Sequence, residues 1–280
     1  MDAKVQNSDS LTGELLNIRP GVRLQVCHQA GSQPAIAFIH GGLGNRFNLR
    51  SQYEFAAGQG WEAIAYDLAG HGQSSPYSRY SIGRHCRDFT RLLRRFHIRR
   101  PILFAHSYGV PIALEWCQRH PVAGLVLVAG GTHALDPWWE VPLMKSLAWG
   151  GRHLFRSGWA QRFVAQRSSS HDHAAIERFV VESPVPVEPH PYDALQVFWG
   201  YNFFMRRSGR WRLDVPALIV SGGEDSMFTC DMGEALTQHF PQGRHLHWQD
   251  GGHLVMAEFP EQVNQELLQF RQNLVGLTLG

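Results

Sequence analysis

Cysteine is scarce in this 280-residue chain: Cys27, Cys86, Cys117 and Cys230 are scattered, and no two of them form a Cys-x-x-Cys pair. That spacing favours reduced thiols in an intracellular compartment over a disulfide framework. Long apolar runs are missing too, and nothing approaches the roughly twenty residues needed to span a bilayer. The segment Met1 to Ser10 is polar and lacks the apolar core of a signal peptide, so a cytoplasmic protein is the expectation. Net charge is only +2, too mild to argue for nucleic acid or strongly acidic partners. No internal repeat or low-complexity tract stands out. What remains, 44% hydrophobic and 18% charged residues, is the composition of a globular chain. Its length suits one large domain, or a core domain carrying an insertion.

Along the chain, short apolar runs alternate with helical patterns. Val22 to Val26 alternates apolar and polar residues, as an outer strand does. Ala35–Ile39, Glu62–Tyr66, Leu125–Ala129 and the run from Ala217 read as buried strands, and His245–Trp248 as the last strand. Helices are expected at Tyr53–Ala57, Ile82–Phe96, Pro111–Cys117, Ala235–Phe240 and Gln262–Leu274. Strands and helices in this rhythm predict an α/β fold with a mostly parallel sheet covered on both faces. The rhythm breaks from Thr132 to Arg210, where Trp138, Trp139, Trp149, Trp159 and Trp199 fall among many Phe and Leu with no clear strand. This stretch is expected to be a helical cap, residues 132–210, inserted into a core formed by 1–131 and 211–280.

The segment Leu103-Phe104-Ala105-His106-Ser107-Tyr108-Gly109-Val110 carries the chemistry. An apolar strand stops at one polar residue set between small neighbours, and a helix follows. A small-x-Ser-x-small turn at a strand-to-helix junction is the nucleophile elbow. The turn is too tight for large side chains two before or two after the serine. It thrusts the hydroxyl out at a helix N-terminus, where unpaired amides and the helix dipole favour developing negative charge. Ala105 stands where glycine is usual; Gly109 keeps the second small position.

Five motifs then occur in order: His40-Gly41-Gly42, Asp67-Leu68-Ala69-Gly70-His71-Gly72-Gln73-Ser74, Ala105-His106-Ser107-Tyr108-Gly109, Gly222-Gly223-Glu224-Asp225 and Gly251-Gly252-His253. Together they resemble the α/β-hydrolase fold superfamily, from about Val22 to the C-terminal helix. The phrases at 67–72 and 106–110 are most similar to the branch of α/β-hydrolase-domain-8-type proteins, a resemblance that brings no settled substrate. A serine hydroxyl is a weak nucleophile at neutral pH and needs an adjacent base. His253 follows the last strand and can supply it. Asp225 ends the preceding strand, where it can fix the imidazole tautomer; Asp231 and Asp250 are weaker candidates because neither directly ends a buried strand. Ser, Asp, His is the chain order of this fold.

The oxyanion would be held by the backbone N–H groups of Tyr108 and Gly42, with Leu43 as the fallback and as a substrate contact. The glycine-rich loop at 41–44 lacks the Gly-Lys-Ser/Thr or Gly-x-Gly-x-x-Gly context of a phosphate cradle, so no nucleotide cofactor is expected. His171-Asp172-His173 and His245-x-His247 belong to no complete ligand set in the sequence, and no metal is expected either. The resemblance implies that His40, His71 and His106 brace loops. On the 82–96 helix, Phe89, Leu92, Leu93 and Phe96 face the sheet. Arg84, Arg87, Arg91, Arg94 and Arg95 mostly lie opposite, as a solvated face or as a contact for an anionic membrane surface.

Much of the aromatic content of the insertion must pack on the core, and the remainder would line an apolar pocket over Ser107. Trp138, Trp139 and Trp199 are the substrate-contact candidates. The expectation is a cofactor-free serine hydrolase acting on a small hydrophobic ester, thioester or lipid ester. Carbon–carbon bond hydrolases and cofactor-free haloperoxidases use the same three residues and stay open, as does a low-turnover ligand-binding protein.

Overall fold

The computed structural model describes residues 11–130 and 213–279. Between them it describes 142, 146, 150, 179, 181–184, 186, 188 and 190–199. Among the described residues eight strands form one sheet: β1 (Glu14–Arg19), β2 (Val22–Gln29), β3 (Ser32–Ile39), β4 (Trp61–Tyr66), β5 (Ile102–His106), β6 (Gly124–Val128), β7 (Ala217–Gly222) and β8 (Gly243–Trp248). Their spatial order is β1-β2-β4-β3-β5-β6-β7-β8. β2 runs antiparallel to both its neighbours, and every pairing from β4 to β8 is parallel. The described helices are α1 (Arg50–Gly58), α2 (Ile82–Arg95), α3 (Gly109–Cys117), α4 (His190–Trp199), α5 (Cys230–Thr237), α6 (Val255–Glu258) and α7 (Pro260–Leu279).

The apolar strands are continuous because both faces of the sheet are covered, and their period-two alternation splits the core in two. Ala37, Ile39, Leu103, Ala105, Leu125 and Leu127 point to one side, where Phe89, Leu92 and Leu93 of α2 and Ile112 of α3 cover them. Ile36, Phe38, Ile102, Phe104, Val126 and Val128 point to the other, against Tyr53 of α1 and Val263 and Leu267 of α7. At the C-terminal ends of these parallel strands the chain turns outward, and there the motif residues gather.

Two differences from the sequence reading stand out. β1 falls in a stretch given no strand, because only Leu16 of its six residues is buried and its pattern is that of a solvated edge. The α5 helix begins at Cys230 and ends at Thr237, earlier than the expected 235–240. Gln238 to Phe240 instead form its closing turn, with Phe240 N–H donating to Thr237 O at 2.9 Å. On α2, Ile82, His85, Asp88, Phe89, Leu92 and Leu93 are buried, while Arg87, Arg91, Arg94 and Arg95 are exposed. Of the expected cap, α4 is the described element; Trp138 and Trp139 lie outside the described residues.

Candidate active site

Ser107 sits between β5 and α3 with φ of 48°, in the left-handed region that a serine rarely occupies. Such a conformation costs of order 1–3 kcal/mol and persists only where surrounding structure holds it. Here backbone bonds hold it: Ser107 N–H donates to Val128 O at 3.0 Å, and Val110 N–H donates to Ser107 O at 2.9 Å. Two residues on, Gly109 lies against the end of β3. A Cβ there would stand 2.5 Å from Ile39 O, so the turn closes only with hydrogen at that position. Ala105 is fully buried, paired with Ile39 and Leu127, and its methyl is accommodated in the core.

His253 reaches the serine from the loop after β8. Its Nε2 is 3.0 Å from Ser107 Oγ, and its Nδ1 is 2.8 Å from Asp225 Oδ2. The structure therefore brings the three sequence-selected residues into one hydrogen-bonded line. Asp225 is the carboxylate bonded to His253, whereas Asp231 is exposed in the first turn of α5 and Asp250 lies on an exposed turn after β8. Asp225 is 4% exposed. Burial works against its charge, but the His253 imidazole and hydrogen bonds from His253, Phe228 N–H and Met227 N–H more than offset this. They hold the carboxyl below its ordinary range.

The two loops carrying Asp225 and His253 lie directly on one another. Gly223 N–H donates to Trp248 O at 2.8 Å, and Glu224 N–H to Gly251 O at 2.9 Å. A Cβ on Gly222 would meet Gly251 O at 2.2 Å, which is why β7 ends in glycine. The His253 loop has two further braces. Gly252 N–H donates to the Glu258 carboxylate at 3.0 Å, and His106 Nε2 lies 2.9 Å from His253 O. His253 also stacks on Phe228, with ring centroids 5.8 Å apart.

The Gly41-to-Gly44 segment turns back on itself opposite Ser107, with Gly44 N–H donating to Gly41 O at 3.4 Å and Leu43 at φ of 60°. A Cβ on Gly42 would lie 3.5 Å from Tyr108 Cβ, so the two candidate oxyanion donors are adjacent. Tyr108 is the N-cap of α3 and makes no side-chain capping bond, and its ring is buried with the hydroxyl 3.3 Å from His85 Nε2. The 67–74 motif is scaffolding for this loop. Asp67, itself buried, accepts from Arg46 N–H, from the Arg46 guanidinium at 2.8 Å and from Gln73 N–H at 2.8 Å. Next to it, His40 Nδ1 lies 2.7 Å from Gly41 O and its Nε2 accepts Leu68 N–H at 2.9 Å, which assigns a neutral tautomer. Burial pushes His40, His71, His85 and His106 down to about 3 from the usual 6.5, so all four are neutral.

One neighbour of the site was not foreseen. Leu195 on α4 reaches Gly42, its Cδ1 2.9 Å from where a Cβ on that glycine would stand. Tyr192, Ala194, Leu195 and Val197 lie in the stretch expected to be helical, but the sequence carries no local signal that Leu195 packs on Gly42. Trp199 is the last residue of the same helix, and its side chain lies outside the described residues.

A family model for the alpha/beta hydrolase fold matches residues 34–260. The chain belongs to the α/β-hydrolase fold family. Human protein ABHD8 is 26% identical over 269 residues, covering 89% of this chain and 57% of that protein, in agreement with the branch indicated by the motifs. Mouse bifunctional epoxide hydrolase 2 is 19% identical over 316 residues, covering 96% of this chain and again 57% of that protein. The chain thus spans little more than half the length of these curated relatives. Among solved structures, a thermophilic esterase from Thermogutta terrifontis superposes with a TM-score of 0.79 at 19% identity, covering 90% of this chain and 94% of the esterase. Among the described residues of this α/β-hydrolase, no helix is long and apolar enough to cross a membrane.

Proposed function

We propose that this α/β-hydrolase is a serine hydrolase that cleaves carboxylic esters, thioesters or lipid esters bearing a hydrophobic acyl or aromatic group. The observation that carries the reading is the line Ser107 Oγ to His253 Nε2 to Asp225 at 3.0 and 2.8 Å, built on a strained serine turn. His253 accepts the Ser107 proton as Oγ attacks the carbonyl carbon, and the carbonyl π electrons move onto its oxygen. Backbone N–H groups of Gly42 and Tyr108 receive that oxyanion, helped by the α3 N-terminus. As the tetrahedral adduct collapses, His253-H⁺ protonates the departing alcohol or thiol, leaving an acyl-Ser107. Water, deprotonated by His253, attacks the acyl carbon, and the carboxylic acid and free serine are released. Asp225 holds the tautomer throughout and steadies the imidazolium.

Epoxide hydrolases and dehalogenases of this fold would need an aspartate nucleophile, and the elbow residue here is Ser107. The insertion at 132–210 is read as the lid, with Leu195, Leu43, Trp138, Trp139 and Trp199 as contacts for the apolar group. Cys27, Cys86, Cys117 and Cys230, all present as thiols, suit a reducing, cytoplasmic setting. Carbon–carbon cleavage, haloperoxidase chemistry or ligand binding with little turnover are the rival uses of the same residues. A panel of aryl esters of rising acyl length, with mass spectrometry of rapidly quenched enzyme, tests the reading. Chain-length-dependent hydrolysis and an acyl adduct on the Ser107 peptide are expected. A folded protein that binds these esters without turnover or adduct would overturn it.

A further inference from the structure

The hydrolase reading leaves one cluster of metal-ligating side chains unused, at the edge of the sheet farthest from β1. Strand alternation puts His245 and His247 on one face of β8. His245 Nε2 lies 2.7 Å from Ser221 Oγ of β7, and His247 Nδ1 lies 3.3 Å from the same oxygen. Helix α5 packs over this edge. Cys230 opens the helix and Glu234 follows one turn later on the same side, with Cys230 Sγ 3.9 Å from Glu234 Oε1. Among the described residues, Cys230, Glu234 and His245 each offer one ligand atom, and these atoms all lie within 4.8 Å of one another.

A glycine makes the approach possible. Gly233 is buried inside α5, and a Cβ there would stand 2.7 Å from His245 Nε2. Glycine inside a helix is unfavourable relative to alanine. Here it is the feature that lets an imidazole nitrogen come up against the helix beside a thiol and a carboxylate.

We propose that Cys230, Glu234 and His245 form a binding site for Zn(II), completed by a water molecule. Thiolate, imidazole and carboxylate are the three ligand types that zinc takes in tetrahedral sites, whereas calcium and magnesium are held by oxygen ligands. On binding, the Cys230 thiol releases its proton to solvent as the zinc–sulfur bond forms, and His245 Nε2 gives up its hydrogen bond with Ser221 Oγ to donate its lone pair to the metal. Half-exposed Cys230 and exposed Glu234 have the side-chain freedom to close the donor spacing onto metal–ligand lengths of about 2.0–2.3 Å. The site also ties together the segments that carry the candidate acid and base. Cys230 lies just beyond the Asp225 turn, and His245 is on the strand that leads into the His253 loop.

Co(II) titration of the full chain under a non-thiol reductant, followed by Zn(II) competition against a chromophoric chelator, tests this. The wild type is expected to bind one equivalent of Co(II) with a thiolate charge-transfer band that Zn(II) abolishes, and to melt at a higher temperature with Zn(II). Cys230→Ser should lose the band and weaken Zn(II) binding roughly 100-fold, beyond the low end of what a lost outer-shell partner costs. Glu234→Gln, at an exposed position that leaves the helix intact, should weaken binding at least about tenfold, and His253→Ala should bind as wild type. Absence of the band on folded wild-type protein would overturn the site. So would an affinity that Cys230→Ser and Glu234→Gln leave unchanged.

Discussion

The two halves of the candidate site are held by different means. Ser107 stands at the middle of the sheet, fixed by main-chain bonds to β6 and by a glycine pressed on β3, with its neighbours wholly buried. Asp225 and His253 stand on the loops that follow the last two strands, toward an edge where β8 is half-buried at best. There main-chain bonds between the two loops are supplemented by side-chain bonds that reach the catalytic groups: His253 to Asp225, Gly252 to Glu258, His106 to His253 O. The difference teaches where each half can fail. The nucleophile is a property of strand register and backbone strain, and the acid–base pair depends on a few polar contacts that can be removed singly.

The sharpest break in that comparison deletes chemistry and leaves both scaffolds standing. Ser107→Ala should abolish ester turnover, by about 10⁶-fold on the scale of a lost nucleophile in a serine enzyme, with a nearly unchanged melting temperature because alanine keeps the Cβ and so the strain of the turn. Asp225→Asn keeps the shape but removes the charge that orients His253, and kcat should fall by about 10⁴-fold in steady-state assays while the fold persists.

Next in size is acid sensitivity, which probes the interior around the nucleophile. The four buried histidines titrate near 3 when folded but near the ordinary 6.5 when unfolded, so protons favour the unfolded chain. Stability should be level above about pH 6.5 and then fall as pH drops, each group costing up to about 1.4 kcal/mol per pH unit. Asp225 has the depressed folded value of a carboxylate. Its contribution is present above the ordinary carboxylate range and is lost as pH falls through the folded value. Urea midpoints between pH 7 and 5 check this; a flat profile would mean that these imidazoles are charged or solvated.

Smaller effects separate backbone from side chain. Gly109→Ala forces a methyl onto Ile39 O and should cost about 1–3 kcal/mol in denaturant unfolding, with loss of serine reactivity as the turn shifts. Ala105→Gly, the change to the more usual elbow residue, should cost only about 1–2 kcal/mol from one lost methyl and added backbone entropy. Its ester turnover should match wild type.

What could be read in advance follows the same division. The buried strands, the elbow, and the order of serine, aspartate and histidine were legible because each is a local pattern of a few residues. β1 was not, since an edge strand with Leu16 alone buried carries little hydrophobic signal. Leu195 over Gly42 was missed because a contact between residues 42 and 195 depends on the packing of α4, which no window of sequence reports. The Cys230, Glu234 and His245 grouping was invisible for a similar reason: its members join only when α5 docks on β8.

Labelling with a fluorescent fluorophosphonate, wild type beside Ser107→Ala and His253→Ala, tests the central claim most directly. Strong labelling of wild type, none of Ser107→Ala and severely slowed labelling of His253→Ala is the predicted result. Folded wild-type protein that does not label, or Ser107→Ala that labels undiminished, would contradict an activated serine at this turn.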